Sequence, residues 1–188
     1  MNAIVTPRLL LRQCRQSDRD LFFEVSSDPR VLEFFPFHRS RRDADAVFDL
    51  VLEAQSRDDL GFYVMALQDG GEPVGFCGLS RPQLAPILPQ DAVEIGWRLS
   101  ARHWRKGYAT EAGEALLQRG FENLGLQEIL SLTVHDNHRA AAVMTRLGMR
   151  RDAAGDFNHP QIPETHPQLR RHILFRLGAE EWRAGRRG

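Results

Sequence analysis

The sequence has only two cysteines, Cys14 and Cys77, far apart in the chain and with no histidine or further cysteine at metal-ligand spacing. No metal site is expected, and isolated thiols fit a reducing compartment better than a disulfide framework. Net charge is missing as well: 25 lysines and arginines balance 25 aspartates and glutamates. Such a chain is a poor candidate for nucleic acid as its main partner, which asks for a basic surface. No apolar run approaches the roughly 20 residues that cross a bilayer, so no membrane partner is expected. Residues 1–12 carry arginines within a strand-like run, where a signal peptide would have an apolar core. Repeats, low-complexity tracts and linkers are absent too. What remains is a chain of 188 residues, 42% hydrophobic and 27% charged. It suits one domain, 1–188, with a sizeable core and a cytoplasmic location.

Period-2 alternation predicts strands at 9–12, 62–67, 73–79, 93–99, 129–134 and 171–177, with Asp69-Gly70-Gly71 as a hairpin turn. Helices are predicted after Ser17-Asp18 (Leu21, Phe22 and Val25 on one face), after Asp28-Pro29, and over 43–55 with Ala46, Val47, Leu50 and Val51. Two more follow, one opened by Thr110 and one over 137–147 closed by Gly148. Segments 81–90 and 157–169 read as loops. The order is mixed α/β, with antiparallel hairpins on either side of one strand–helix–strand unit.

Residues 93–124 are the most informative. Val93, Ile95, Trp97 and Leu99 alternate with Glu94, Gly96 and Arg98. The basic loop Arg102-His103-Trp104-Arg105-Lys106-Gly107-Tyr108-Ala109 follows, and Thr110 has N-cap chemistry, with Glu111 in the first turn and Ala112, Leu116, Leu117 and Phe121 on an apolar face. A helix start exposes unpaired N–H groups and the positive end of the macrodipole, which together suit a phosphate. The Gly-Lys-Ser/Thr of a nucleoside-triphosphate loop is absent, and so is the G-x-G-x-x-G of a dinucleotide fold. A third option is coenzyme A, its diphosphate on the N–H groups between Arg105 and Thr110; the plain alternative is a solvated basic loop.

On these residues the sequence resembles the GNAT N-acetyltransferase superfamily, and within it the RimJ/RimL group of ribosomal-protein N-terminal acetyltransferases. Thr6-Pro7-Arg8-Leu9-Leu10-Leu11-Arg12 is similar to that group's opening strand and Glu94-Ile95-Gly96-Trp97-Arg98-Leu99 to its central strand. Trp104 through Ala112 resembles its pyrophosphate loop, and Asn137 through Arg146-Leu147-Gly148-Met149 its second cofactor motif. Phe157-Asn158-His159-Pro160 and His172-Ile173-Leu174-Phe175 are similar to its tail. Two positions depart: Trp104 stands where the superfamily has Gln or Arg, and Arg105 where the subgroup usually has glycine. The resemblance implies a GNAT fold, a mixed and mostly antiparallel sheet splayed at its central strands and flanked by helices. It also implies acetyl-CoA as acyl donor, held by Arg102, Arg105, Lys106, Gly107, Tyr108, Ala109 and Thr110 at the diphosphate. Trp97, Leu99 and Asn137 would line the pantetheine arm, although Asn137 serves equally as a helix N-cap.

Acetyl transfer needs a neutral amine, and a positioned carboxylate or histidine can take its proton. Glu94 is the leading candidate, with a salt bridge to Arg98 as its structural alternative; His135 and Asp136 are weaker candidates. The carbonyl oxygen is expected to accept from a backbone N–H near Trp97. Many superfamily members protonate the leaving thiolate with a tyrosine where this chain has Met144, which leaves Ser131, Tyr108 or water. Phe34, Phe35, Phe37 and His38, in the second predicted helix, are candidates for the acceptor site together with His159 and His166, although an aromatic run is more often core. The implied acceptor is a peptide or protein α-amino group. A small-molecule amine (amino acid, polyamine or antibiotic) is the runner-up. A CoA-binding regulatory module without turnover is the reading from another class, motivated by Met144 and Arg105. A homodimer is compatible with all three. The charge runs Arg39-Ser40-Arg41-Arg42 and 183–187 read as solvated surface.

Overall fold

Every alternating run in the sequence becomes a strand, and all of them join one sheet. A computed structural model describes residues 2–54 and 60–186. Its strands are β1 (Ile4–Val5), β2 (Leu9–Arg12), β3 (Gly61–Leu67), β4 (Pro73–Ser80), β5 (Glu94–Leu99), β6 (Glu128–Val134), β7 (Arg150–Asn158) and β8 (Arg171–Gly178). The helices are α1 (Arg19–Ser27), α2 (Arg41–Ala54), α3 (Tyr108–Gln118), α4 (His138–Arg146) and α5 (Ala179–Gly185). The sheet order is β1-β2-β3-β4-β5-β6-β8-β7, antiparallel at every junction except β5–β6. That parallel seam is short. Glu94 opposite Leu130 is its registered pair, and the Leu130 amide donates to the Val93 carbonyl at 2.9 Å. On its other edge β5 keeps pace with β4 over the whole run from Glu94 to Leu99.

The two faces of β5 serve different layers. Val93, Ile95 and Leu99 join Leu9, Leu11, Leu116, Leu117 and Met144 in the core under α3 and α4. On the opposite face Phe76, beside Arg98 in the sheet, packs with Phe22 and Phe48 of α1 and α2. Phe48 is fully buried, a contribution of roughly 1.5–3 kcal/mol from its apolar area. Cys14 and Cys77 are buried free thiols. No described helix is long and apolar enough to cross a membrane.

Five expectations need correction. The helix after Asp28-Pro29 does not form: the Val31 and Leu32 amides both bond to the Asp28 carbonyl, Phe35 bonds to Leu32, and the rest of 29–36 is turn. Pro36 supplies no N–H and disfavours helical geometry at Phe35. Thr110 is not an N-cap either. Gly107, at φ 81°, opens α3, so Thr110 lies within the first turn. The backbone there needs a left-handed residue, and glycine adopts that conformation without steric penalty. The loop expected at 157–169 begins later, because β7 runs to Asn158. As an edge strand, mostly exposed, β7 carries no apolar alternation to announce it. Also unannounced is α5, whose Trp182 packs on Phe121 at 5.3 Å between ring centroids. Finally, α2 starts two residues before the predicted 43, at Arg41. Gln55 of that prediction, Arg187 of the terminal charge run and Met1 lie outside the described residues.

Candidate active site

Past the Glu94–Leu130 pair, β5 and β6 diverge around a cleft of about 1070 Å³ that reaches both faces of the sheet. The direction of each peptide group on β5 follows from its partners. The Val93 and Ile95 carbonyls face β6, accepting from the Leu130 N–H and the Ser131 hydroxyl, both at 2.9 Å. The Ser100 N–H faces β4, donating to the Val74 carbonyl at 3.0 Å. A period of two therefore turns the peptide groups of Trp97 and Leu99 toward the gap. The Leu99 carbonyl already accepts from the Trp104 indole at 3.0 Å, so the expected pairing through Leu99 is reduced to its N–H. On its β6 side Trp97 has no registered strand partner among the described residues.

At one end of the cleft lies the start of α3. Arg105 (φ 61°) and Gly107 (φ 81°) both take left-handed backbone, a conformation that strains a side-chain-bearing residue by roughly 1–2 kcal/mol. Among the described residues no backbone carbonyl accepts from the N–H groups of 105–110; the first amide served is that of Glu111, by Gly107 at 3.0 Å. Behind this loop the Glu111 carboxylate accepts from the Thr6 hydroxyl (2.6 Å), the Arg8 amide (2.7 Å) and the Arg8 side chain (2.6 Å). Arg8 in turn donates to the Lys106 carbonyl at 2.8 Å. Burial alone would raise the Glu111 pKa, but these hydrogen bonds hold it below the ordinary value. Arg105 lines the cleft, as does Arg146 from the last turn of α4, whose Nε donates to the Thr110 hydroxyl at 3.3 Å. Free amides, a left-handed glycine and two arginines fit the diphosphate of coenzyme A.

Gly107, Tyr108, Ala109, Thr110, Trp97, Leu99 and Asn137 all line the cleft, whereas Arg102 and Lys106 do not. The Arg102 guanidinium is drawn to Glu24 (3.4 Å) and Glu72 (3.6 Å) and donates to His103. The Lys106 carbonyl is taken by Arg8 behind the loop. Asn137 caps α4, its Oδ1 accepting from the Ala140 N–H at 3.1 Å and its Nδ2 donating to the Thr133 hydroxyl at 3.0 Å. Arg146 falls within the second cofactor motif, but its bond to Thr110 arises only where α4 lies beside α3.

On the other face, Glu94 is partly buried and accepts from the Ser80 hydroxyl at 3.2 Å. Burial raises its pKa, and the Ser80 bond offsets this only in part. The anticipated salt bridge to Arg98 is not made. Arg98 instead stacks over Phe35, 4.1 Å from the ring centroid, and approaches Phe37 at 5.7 Å. A Cβ at Gly96 would meet nothing within 4 Å, so open space adjoins Glu94. Phe34, Phe35 and Phe37 line this side of the cleft. The histidines expected there, His38, His159 and His166, do not. His38 is exposed; His159 stacks on His172 at 4.7 Å; His166 is bonded to Thr165 at 2.9 Å. His135 and Asp136 pair with each other on the surface at 2.9 Å.

Known proteins share this fold. The family described as acetyltransferase (GNAT) domain matches residues 8–150. The chain is 30% identical over 185 residues to the FsC-acetyl coenzyme A-N(2)-transacetylase of Aspergillus fumigatus, covering 94% of this chain and 76% of that one. It is 27% identical over 149 residues to the uncharacterized N-acetyltransferase YnaD of Bacillus subtilis, covering 79% and 83%. A GNAT-family acetyltransferase from Bacillus anthracis superposes with a TM-score of 0.78 at 23% identity, over 95% of this chain and 99% of that one. Aminoglycoside acetyltransferase AAC(6')-Ib in complex with coenzyme A does so at 0.74 and 17%, over 94% and 98%. A ribosomal-protein-S5-alanine acetyltransferase from Vibrio fischeri follows at 0.70 and 16%, over 97% and 99%. At such identities the likeness to solved structures speaks to the fold alone.

Proposed function

The chain belongs to the GNAT acetyltransferase family and is an acyltransferase with acetyl-CoA as donor, and from that premise we propose that it acetylates the α-amino group of a peptide or protein by direct transfer in a ternary complex. The observation that carries this reading is the run of unserved amides at 105–110, which opens onto the gap where Trp97 presents its peptide group, with Glu94 on the acceptor side. The amides and Arg105 hold the diphosphate, and the Trp97 N–H donates to the thioester oxygen as it gains charge. The amine nitrogen attacks the carbonyl carbon, its proton passes to Glu94, and the C–S bond breaks to release a thiolate. Burial raises the Glu94 pKa toward working pH and so improves it as a base. An α-amino group, with a pKa near 8, is more often neutral than an alkylamine, which favours it as acceptor. The thiolate, with a pKa near 8.5, leaves with little help, consistent with Met144 at the tyrosine position.

A peptide acceptor draws support from the RimJ/RimL resemblance of the sequence motifs. A small-molecule amine is the second reading, favoured by the identity to the FsC transacetylase. Calorimetry with acetyl-CoA, followed by thiol release against a panel of peptide and small amines, tests the assignment. Turnover on peptides is expected. Binding without turnover on any amine would point to a regulatory CoA module, and no binding would overturn both.

A further inference from the structure

Among the described residues, the acceptor side of the cleft carries two guanidinium groups without an ion-pair partner. Arg98 shares a face of β5 with Glu94, and its guanidinium is enclosed by Phe35 (4.1 Å) and Phe37 (5.7 Å). Arg39 lies over the same Phe37 ring at 4.0 Å. Both line the cleft. Neither guanidinium forms an ion pair or a hydrogen bond among the described residues; Asp43 influences Arg39 from a distance while its own carboxylate accepts from Ser40 at 2.7 Å. Other arginines of this region are matched: Arg30 to Asp28 at 2.7 Å, Arg139 to Glu33, and Arg12 to Asp18 at 2.7 Å. Burial is the main cause that lowers the Arg98 pKa to about 10, and the charge on Arg39 adds to it. Arg98 therefore still carries its charge at neutral pH, beside a like charge and partly withdrawn from water. Aromatic faces return only part of what desolvation removes from such a group.

We propose that the acceptor amine carries an anionic group, a carboxylate or phosphate, bound by Arg98 and Arg39 while the amine lies at Glu94. The inference rests on the acyl-transfer reading above and narrows its substrate. Four residues along a strand separate the Cα atoms of Glu94 and Arg98 by about 13 Å. Amine and anion are therefore several bonds apart, as in a peptide with an acidic residue close behind its N-terminus or in an ω-amino acid. Guanidinium forks favour a planar carboxylate or a phosphate over a neutral amide. Polycationic amines would meet like charge here and are disfavoured.

The test uses matched acceptors: tripeptide amides with glutamate or glutamine at the third position, and ε-aminohexanoate against its amide. Thiol release should give a kcat/KM at least tenfold higher for the acid of each reacting pair; the peptide and ω-amino acid arms identify the source of the anion. In Arg98→Met the preference should shrink to within twofold while KM for acetyl-CoA is unchanged. Arg39→Gln, at a more peripheral position, should reduce the preference severalfold and keeps the test informative if Arg98→Met misfolds. Equal turnover of acids and amides by the unaltered protein would overturn the proposal, and so would a preference that survives both substitutions. An Arg98→Met effect confined to KM for acetyl-CoA would overturn it as well. If no amine turns over, the acyl-transfer reading fails separately. Calorimetry on the acetyl-CoA-saturated protein then decides the proposal: tighter binding of the acids supports it, and equal binding overturns it.

Discussion

Glu94 is expected to trade stability for chemistry. Its folded pKa is raised by burial, so the neutral form is favoured in the native state and the ionised form is tolerated. Its stabilising contribution is present in full below the unfolded value near 4.3 and is lost as pH rises through the folded one. Glu94→Gln should therefore raise Tm at pH 7–8 and bring little gain in acid, as read by calorimetric scans. The same substitution should lower kcat about 100-fold or more and flatten the acid limb of kcat/KM, which in the unaltered protein falls as Glu94 protonates. An unchanged pH–rate profile would remove Glu94 as the base. Arg105 poses the opposite balance. Arg105→Gly relieves about 1 kcal/mol of left-handed strain but adds unfolded-chain entropy of similar size. Tm should barely move while KM for acetyl-CoA rises severalfold at constant kcat, the signature of lost uniform binding. A large fall in Tm would instead show Arg105 to be a packing residue.

The start of α3 is held in place by Glu111, which ties it to the β1–β2 turn through Thr6 and Arg8. Glu111→Ala strands those donors and should cost about 2–3 kcal/mol, a fall in Tm of roughly 5–10 °C for a chain this size. KM for acetyl-CoA should rise with it. Because the folded Glu111 pKa is depressed, its contribution is present above the unfolded value and is lost as pH falls through the folded one. The gap in Tm between protein and variant should therefore close in acid; a gap that persists there would sink this electrostatic account. Nothing in the sequence joins Thr6 to Glu111, since the contact spans 105 residues. What could be read was local. Alternation at 93–99 and the apolar stripe from Ala112 to Phe121 located two walls of the cleft, because periodicity is set by each element's own burial. Thr110 misled because its side chain suits a cap, whereas loop closure required left-handed backbone at Gly107. Phe34 and Phe35 suit a helix by their spacing from Asp28-Pro29, but Pro36 disfavours helical backbone at the residue before it. The Arg98–Phe35 stack, the Arg146–Thr110 bond and the Arg102–Glu24–Glu72 cluster each depend on elements brought together only by folding.

The sheet is two antiparallel blocks, β1 to β5 and β6 to β8, which meet at one registered parallel pair. Below the seam the blocks share the core under α3 and α4; above it they are joined by the Ser131 hydroxyl on the Ile95 carbonyl. A ligand whose diphosphate sits at the start of α3 and whose arm lies between Trp97 of β5 and Asn137 of α4, which packs on β6, bridges the two blocks, so its binding energy acts on the weakest junction of the sheet. At 100 times Kd, acetyl-CoA should add about 2.7 kcal/mol, or about 5–10 °C in Tm. The location of that gain is the sharper prediction. Amide exchange should slow most at Trp97 and at residues 107–110, whose N–H groups lack protein acceptors, and least along β3–β4 from Gly61 to Met65, where the pairing is continuous. Protection at 107–110 without protection at Trp97 would mean that the diphosphate is held but the arm does not enter the gap. Glu94 would then face no thioester.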